Sequence, residues 1–483
     1  MSPSQARAQP GYDVFISYHW RDHDAVHTVA RHLRAAGLHP FVDRWYLVPG
    51  QPWQSALEQN LANCRAVAVF LGPGEMGPWQ QRERDFAIDR QTRAPRLPVI
   101  PVLLPGCEPA LGFLGQNTWV DLRHAIEDPA ALAILAAAIR GEAPGPDLQD
   151  RARQAAAAIC PYRGLLHFRE EDEPFFFGRQ RDADALAEVV RGQNLTAVVG
   201  ASGAGKSSLV RAGLIPRLRR DRETGWEVVT MVPGGRPLRS LAMAMIPLLE
   251  PDKSETDRLA EGAKLAGHLS DHTFGLRDVA ERVLHLQQGT AKLLLVVDQW
   301  EELYTLSSEA ARESFLRQML EAVEGNVGGL HVVLTLRGDF MGRALEHRGL
   351  SDRLEGAVKH LGPMTRAELE QAITGPAGRT GLELEDGLAG RLLDDAAAEP
   401  GNLPLLEFVL RRLWEEREGP RLSHAVYGSI GGISGAVARH ADAVFARLTG
   451  AEQQAARRVF LQVVRPMADG GYTRRRAELA EVG

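Results

Sequence analysis

The sequence has few cysteines, no long apolar run and no signal peptide. Its 483 residues include 3 cysteines. Cys64, Cys107 and Cys160 are too few for a disulfide framework and too far apart for a metal-binding knuckle. The longest apolar stretches, such as 130–139, fall far short of the roughly 20 residues that a membrane span needs, and residues 1–13 lack the apolar segment of a signal peptide. We therefore expect a protein of the reducing cytoplasm with no membrane partner.

An excess of basic charge is also lacking. The formal net charge is −6 and the isoelectric point is near 6.2, and lysine and arginine are spread along the chain. The basic run Arg474 to Arg476 is short, so we expect no nucleic-acid partner. Apolar residues make up 44% and charged residues 24%, an ordinary composition for a globular protein. At roughly 150 residues per domain, the length predicts two to four domains.

Two α/β patterns follow one another along the chain. The first has apolar strand patterns at 12–18, 38–42, 66–71, 99–104 and 119–122, and helical periodicity at 24–36, 53–63 and 79–90. This alternation predicts a doubly wound parallel sheet. After a Pro- and Gly-containing link at 141–160, the second pattern has strands at 195–199, 227–232, 292–298 and 331–336. Beyond residue 360 the pattern becomes helical, including 403–416.

The second pattern contains a phosphate-binding loop. Residues 195–208 read LTAVVGASGAGKSS, an apolar strand that runs into G-x-x-x-x-G-K-S and then a helix. Glycines let the backbone wrap around a phosphate, and successive N–H groups supply positive potential. We expect Lys206 to reach the β- and γ-phosphates of ATP and Ser207 to bind Mg²⁺. The predicted nucleotide contacts in this loop are Gly200, Ser202, Gly203, Ala204, Gly205, Lys206, Ser207 and Ser208.

Besides Ser207, the magnesium ion is expected to have a carboxylate on its side of the site, at the end of a neighbouring strand. The segment KLLLVVDQWEE (292–302) supplies Asp298 as a metal ligand, and Glu301 or Glu302 to orient an attacking water. Arg337 follows another apolar strand and is a candidate γ-phosphate sensor. As a lone arginine it fits a surface ion pair equally.

Five segments together resemble the bacterial STAND signal-transduction ATPases, relatives of the NB-ARC and NACHT switches. They are CPYRGLLHFREEDEPFFFGR (160–179), the phosphate loop, DQWEEL (298–303), LRGDF (336–340) and GNLPLLEFVLRRLW (401–414). The resemblance implies that Phe177, Gly178 and Arg179 lie near the adenine, and that Gly401, Leu403 and Pro404 contact the base from a helical domain. It also implies a winged-helix end domain and an ADP/ATP switch that oligomerises when a trigger allows exchange. The trigger is unknown, and a sensor domain beyond residue 483 would be its natural place.

The first pattern resembles the Toll/interleukin-1 receptor (TIR) domain, which has a flavodoxin-like fold. The resemblance lies in YDVFISY (12–18), RDHDAVHTVARHLRAAG (21–37), DRWYLVPGQPW (43–53) and the W-x-x-x-E formed by Trp79 and Glu83. In TIR enzymes this element carries the catalytic glutamate, which implies cleavage of the nicotinamide–ribose bond of NAD⁺ by Glu83. The substrate-binding residues expected beside it are Ser17, Tyr18, Asp43, Trp45 and Trp79. The resemblance further implies that the 43–52 loop of one copy completes the site of another.

The residues also allow alternative functions. Residues 72–77 spell G-x-G-x-x-G, a dinucleotide-binding pattern, but Pro73 removes a backbone N–H that a pyrophosphate needs. The TIR domain is either an NAD⁺ hydrolase gated by the nucleotide, with bacterial anti-phage immunity as its context, or an adaptor without activity beside an ATPase. A third reading is an autonomous ATPase. The expected domains are TIR at 1–142, a linker at 143–160, the P-loop NTPase at 161–360, a helical domain at 361–425 and a winged-helix-like domain at 426–483.

Overall fold

The structure is a computed structural model that describes most of the chain. The described residues are 12–42, 64–73, 98–107, 119–142, 160–221, 224–250, 253–287, 290–324, 329–397, 403–466 and 472–474. Four predicted site residues, Asp43, Trp45, Trp79 and Glu83, lie outside these ranges, as do Gly401 and the helices expected at 53–63 and 79–90.

A parallel five-stranded sheet organises the N-terminal part. Its strands are β1 (Val14–Ser17), β2 (Pro40–Phe41), β3 (Ala66–Leu71), β4 (Val99–Leu103) and β5 (Val120–Asp121), and its described helices are α1 (His23–Ala35) and α2 (Pro129–Arg140). The strand order is β2-β1-β3-β4-β5, which is the order of the flavodoxin-like fold. All five strand predictions in this part of the chain are confirmed.

Successive side chains of each strand point to opposite faces of this sheet. Val14, Ile16 and Phe70 lie on the face that packs against α1 and α2. Helix α1 buries Val26, Val29, Ala30 and Leu33, a spacing that places all four on one side of the helix. Both helices therefore cover the same face of the sheet.

A second parallel sheet forms the core of the central part. Its strands are β6 (Leu195–Gly200), β7 (Trp226–Met231), β8 (Lys292–Val297), β9 (Leu330–Arg337) and β10 (Val358–Leu361), in the order β10-β6-β9-β8-β7. The helices are α3 (Gln180–Gly192), α4 (Lys206–Ser208), α5 (Ile215–Arg219), α6 (Pro237–Leu249), α7 (Glu255–Ser270), α8 (Leu276–Leu286), α9 (Glu302–Thr305), α10 (Glu309–Val323), α11 (Met341–Leu345) and α12 (Arg348–Leu354). Helices pack on both faces, since Leu295 and Val297 face α6 to α10 while Leu294 and Val296 face α3.

The strand order corrects one expectation about this sheet. The four strands predicted in the central part are confirmed, and β10 is a fifth that the sequence analysis missed. Strand β8, which ends just before Asp298, is not the neighbour of β6, because β9 lies between them. Any contact between the phosphate loop and Asp298 must therefore reach across the end of β9.

The remaining described part is mainly helical, as expected. It contains α13 (Arg366–Thr380), β11 (Glu383–Leu384), α14 (Leu388–Ala397), α15 (Leu403–Glu415), β12 (Arg421–Leu422), α16 (His424–Ser429), α17 (Gly432–Arg447), α18 (Gly450–Val463), β13 (Val464–Pro466) and β14 (Tyr472–Arg474). Its core includes Ile373, Leu392, Val409 and Tyr427. None of the helices within the described ranges has the length and apolarity to cross a bilayer.

Candidate nucleotide and NAD⁺ sites

The phosphate loop connects β6 to α4 with the backbone that its glycines permit. Gly203 and Gly205 have φ values of 76° and 89°, in the left-handed region that side chains with a Cβ disfavour. A Cβ on Gly200 would lie 2.6 Å from the carbonyl oxygen of Leu361, so the close approach of β10 also requires glycine. Ser202 is exposed on the loop. The loop therefore has the conformation that the G-x-x-x-x-G-K-S pattern predicts.

Lys206 lies inside this loop. Its Nζ donates to the carbonyl oxygens of Gly200 at 3.1 Å and Ala201 at 2.8 Å, and the side chain is 9% exposed. Burial lowers the pKa of Lys206, the Glu301 carboxylate opposes that shift, and the Arg337 guanidinium adds to it. An anionic phosphate beside the ammonium group would favour its charged form and offset the cost of burial.

Asp298 is brought to Ser207 across the end of β9. Its Oδ1 accepts hydrogen bonds from Ser207 Oγ at 2.7 Å and from Thr335 Oγ1 at 2.7 Å. Gln299 follows with φ of 57°, and its N–H donates to Thr335 Oγ1 at 2.9 Å. Thr335, which the sequence analysis did not single out, thus holds the carboxylate and the turn that follows it. Thr335 lies on β9, directly beside β6, and only the order of the strands in the sheet reveals this.

The two glutamates after Asp298 have different surroundings. Glu301 accepts a hydrogen bond from the backbone N–H of Arg337 at 3.3 Å and stabilises the charge of Lys206. Glu302 instead accepts from the N–H of Gly234 at 3.1 Å. Glu301 is therefore the better candidate for orienting water beside the phosphates.

Two arginines lie near these carboxylates. Arg337 forms a bidentate ion pair with Asp339 and is 39% exposed, so it has the surface ion pair that the sequence analysis allowed. Arg211, which that analysis missed, places Nε 3.5 Å from Asp298 Oδ2. Arg211 belongs to a π-helical turn (Leu209–Leu214) between α4 and α5, a local widening that is frequent at functional sites.

The donor set fits a magnesium ion. Ser207 Oγ and Asp298 Oδ1 are oxygen donors that already lie within hydrogen-bond distance of each other. Mg²⁺ is usually bound by one or two protein oxygens together with phosphate oxygens and water. These two groups therefore suffice on the protein side.

The Phe177–Gly178–Arg179 segment connects the phosphate loop with α13. Arg179 is 5% exposed, and its Nη2 donates to the carbonyl oxygens of Gly362 at 2.6 Å and Ala204 at 3.4 Å. A Cβ on Gly375 in α13 would lie 2.6 Å from the Phe177 ring. The segment thus fixes the phosphate loop against the helical part, and both Phe177 and Arg179 line the nucleotide pocket.

We expect Gly178→Ala to destabilise this connection. Gly178 has φ of 83°, and an added Cβ would lie 2.4 Å from the carbonyl oxygen of Glu368. The left-handed conformation alone costs about 1–2 kcal/mol for a residue with a Cβ, which corresponds to a melting temperature lower by at least about 2–4 °C. Thermal unfolding of the full chain measures the change. Gly192→Ala is the matched control, since nothing lies within 4 Å of its Cβ position; equal unfolding temperatures for the two variants would contradict the contact.

The pocket continues from the phosphate loop toward the helical part. Its described lining consists of Gly164, Leu165, Leu166, His167, Phe168, Phe175, Phe176, Phe177, Arg179, Gly203, Ala204, Gly205, Lys206, Ser207, Ser208, Met364, Ala372, Leu403, Pro404 and Glu407. Pro404, predicted to contact the base, is among them. The backbone N–H of Phe168 donates to Ser208 Oγ at 3.1 Å, so the segment before the first helix of this part also borders the phosphate loop.

Glu407 and Asp172 form a buried acidic pair around Arg163. The N–H of Arg163 donates to Glu407 Oε2 at 3.2 Å, and its Nε lies 3.2 Å from Asp172 Oδ2. Burial raises the pKa of Glu407 to about 8 and that of Asp172 to about 6, while Arg163 lowers both. The sequence analysis named neither residue, because a single glutamate in an amphipathic helix gives no signal of its burial.

The structure describes Ser17 and Tyr18 of the expected NAD⁺ site. Ser17 and Tyr18 lie at the carboxyl end of β1, where Ser17 pairs in register with Val69 of β3, and Ser17 is 1% exposed. Asp22 lies at the same edge, because a Cβ on Gly72, just after β3, would lie 2.1 Å from Asp22 Oδ1. Burial raises the pKa of Asp22. Ligands of parallel α/β sheets bind at this edge, so Asp22 joins the candidate residues.

The N-terminal part of the chain is similar to known TIR proteins. Residues 14–136 match the TIR domain family. An NAD(+) hydrolase of Paracoccus denitrificans (strain Pd 1222), PdTIR, is 33% identical over 94 residues, which cover 19% of this chain and 31% of that protein. The chain thus spans about a third of the length of that curated relative.

Parts of the chain are also similar to solved structures. The Walker-type ATPase PABY2304 of Pyrococcus abyssi is 17% identical, with a TM-score of 0.37, and covers 62% of this chain and 79% of that chain. The TIR domain of the Toll-related receptor TRR-2 from Hydra magnipapillata is 23% identical, with a TM-score of 0.22, and covers 27% of this chain and 98% of that chain.

The family profile that spans most of the chain is that of the novel STAND NTPase 1 domain, which matches residues 161–483. This range contains the phosphate loop, Asp298 and the pocket between β6 and α15. The chain belongs to the novel STAND NTPase 1 family and carries a TIR domain ahead of its NTPase.

Proposed function

We propose that this chain is an NAD⁺ hydrolase whose TIR domain is switched on by the nucleotide state of its NTPase part. The observation that carries the proposal is the 33% identity to a TIR protein named as an NAD(+) hydrolase, in a chain that has the W-x-x-x-E element at Trp79 and Glu83. The phosphate loop and Asp298 supply the switch. The biological context that we propose is bacterial immunity through NAD⁺ depletion.

The chemistry needs one carboxylate. Nicotinamide in NAD⁺ is a cationic leaving group, so no acid is required to protonate it, unlike the leaving group of an ordinary glycoside. The bond between nicotinamide N1 and ribose C1′ breaks, and its electron pair leaves with the neutral nicotinamide. Water then adds to C1′ and releases a proton, which gives ADP-ribose. Glu83 stabilises the positive charge that develops on the sugar.

Other residues would position the substrate. Trp79, Trp45 and Tyr18 offer flat rings for stacking. Ser17 and Asp22 supply polar groups at the carboxyl edge of the sheet, and Asp43 would add another. We infer that this edge of the sheet binds the dinucleotide.

The NTPase part would supply control. Lys206 would contact the phosphates, while Ser207 and Asp298 would hold Mg²⁺, which neutralises phosphate charge when bound. Arg179 ties the phosphate loop to the end of β10, and Phe177 of the same segment packs against α13. A change at the phosphates would therefore reach the helical part. To shift the population almost completely from the inactive to the active form, ATP must bind the active form more tightly by about 5 kcal/mol. We propose that the active form is a homo-oligomer in which TIR domains complete each other's sites.

The test measures nicotinamide and ADP-ribose by mass spectrometry with the full chain at high concentration, NAD⁺ and Mg²⁺. We expect NAD⁺ loss with ATP and at least about 10-fold less with ADP, since only ATP favours the active form. A cyclic product would count as NAD⁺ cleavage as well. If NAD⁺ persists under every nucleotide and concentration condition while ATP still binds, the TIR domain is an adaptor.

A further inference from the structure

The two oxygens of the Asp298 carboxylate have different partners. Oδ1 accepts hydrogen bonds from Ser207 Oγ at 2.7 Å, Thr335 Oγ1 at 2.7 Å and the N–H of Gln299 at 3.2 Å. Oδ2 lies 3.5 Å from Nε of Arg211. The carboxylate is 1% exposed, and a charge buried to this extent is costly unless an opposite charge accompanies it. Arg211 supplies that charge at Oδ2, whereas the donors to Oδ1 are neutral.

The π-helical turn at Leu209–Leu214 directs Arg211 toward this carboxylate. Arg211 follows Ser207 by four residues, a spacing that places both side chains on one face of the helix, and both reach Asp298. Every other residue of the turn is buried. A Cβ on Gly213 would lie 3.0 Å from the Cβ of Ala183 in α3, so the turn packs closely against that helix. This packing fixes the point from which Arg211 projects.

The contact between Arg211 and Asp298 is an ion pair without a hydrogen bond. Its 3.5 Å separation is longer than a good N–H···O hydrogen bond, and Nε of Arg211 makes no hydrogen bond to any of the described residues. The guanidinium is thus held to Oδ2 by charge rather than by directional bonds. Another cation could therefore replace it without the loss of a hydrogen bond.

We propose that Arg211 is the counter-ion of Asp298 in the metal-free site and competes with Mg²⁺ for this carboxylate. A cation within about 4–6 Å of a carboxylate lowers its affinity for a proton by about one to three pKa units, each unit being a factor of 10. The same repulsion acts against a metal ion at the same carboxylate. The proposal rests on the nucleotide site of the proposed function, but it does not depend on NAD⁺ cleavage.

Arg211 would be a positioning residue, since it acts on the metal through Asp298 rather than as a ligand. Its positive charge keeps the buried carboxylate neutralised while the site holds no metal. When Mg²⁺ binds together with nucleotide phosphates, the ion takes over this neutralisation and the ion pair with Arg211 weakens. Asp298 therefore keeps a cation beside it in both states, and Arg211 makes the metal-free state the more favourable of the two at low Mg²⁺ concentration.

The test titrates Mg²⁺ into the full chain saturated with ADP and measures the metal affinity by calorimetry. We expect Arg211→Met, which keeps an aliphatic stem and removes the charge, to bind Mg²⁺ at least about 10-fold more tightly than the wild type. Arg211→Lys restores the charge and should bind Mg²⁺ nearly as weakly as the wild type. Arg217→Met is the matched control, because Arg217 is also 21% exposed but pairs with Asp184 at the surface. Its Mg²⁺ affinity should equal that of the wild type.

Thermal unfolding supplies a second measurement. With ADP and EDTA, Arg211→Met should unfold at a lower temperature than the wild type, because the Asp298 charge then lacks its counter-ion. Saturating Mg²⁺ should stabilise the variant more than it stabilises the wild type. In an Asp298→Asn background the same substitution should no longer lower the metal-free unfolding temperature, since no carboxylate remains to be neutralised.

The outcome is decided by the neutral variants. Should Arg211→Met not fold without metal, Arg211→Gln, which keeps a polar group at this position, provides the same comparison. Mg²⁺ affinity equal to or weaker than that of the wild type in the neutral variant overturns the proposal, and a weaker affinity would make Arg211 a support of the metal site. Failure of NAD⁺ cleavage would not affect this result, because the experiment measures metal binding to the ADP complex alone.

Discussion

Replacement of Glu83 by glutamine is expected to lower the rate of nicotinamide release about 100- to 1,000-fold. The substitution keeps the size of the side chain and removes the charge that would stabilise the oxocarbenium-like sugar, and the loss of one such electrostatic contact typically has this effect. The KM for NAD⁺ should change much less, because the charge on the sugar develops only in the transition state. Initial rates at saturating ATP measure both parameters.

The matched control is Asp85→Asn, two residues further along the same segment. In the helix predicted at 79–90, residues two apart do not face each other, so Asp85 should not share the cleft with Trp79 and Glu83. The control variant should retain most of the activity. ADP affinity and oligomeric state should be the same in both variants. Glu83→Gln with more than half of the wild-type rate would remove Glu83 from the mechanism, whatever the rest of the chain does.

The strands of both sheets were predictable because burial on both faces makes parallel strands nearly continuous apolar runs. Strand β10, with the sequence VKHL, was missed because it is short, lies at the sheet edge and has two polar residues between its two apolar ones. For the same reason its contact with Gly200 was not foreseen. Strand order is also a non-local property, so the sequence could not place β9 between β6 and β8.

The site residues were likewise predictable only where the sequence carries a local motif. Lys206, Ser207 and Asp298 were predictable because their motifs are local, and the hydrogen bond between Ser207 and Asp298 agrees with their expected roles. Thr335 and Glu407 carry no motif, and they come to the site only when distant segments meet. Asp22 is a similar case, since its approach to Gly72 depends on the pairing of β1 with β3. The roles of the TIR residues stay predictions.

Lys206→Ala is expected to weaken the binding of ATP and ADP at least about 100-fold. The variant removes the ammonium group that lies within the phosphate loop. Hydrogen bonds to charged groups contribute about 1.5–3 kcal/mol each. It also leaves the carbonyl oxygens of Gly200 and Ala201 without the donor that they have in the structure. Isothermal titration with ATP and with ADP measures the loss. Lys264→Ala is the control, because that lysine pairs with Glu261 at the surface.

The same variant separates a nucleotide switch from a TIR domain that works alone. If ATP binding drives the active form, Lys206→Ala should lose NAD⁺ cleavage along with nucleotide binding, although no TIR residue has changed. Asp298→Asn should behave differently, because Asp298 contacts Ser207 and Thr335 rather than the phosphate-loop lysine. It should keep ADP binding while losing the Mg²⁺ dependence of ATP binding, since the carboxylate is the anionic group of the metal site. Full NAD⁺ cleavage by Lys206→Ala at any ATP concentration would mean that the nucleotide does not control the TIR domain.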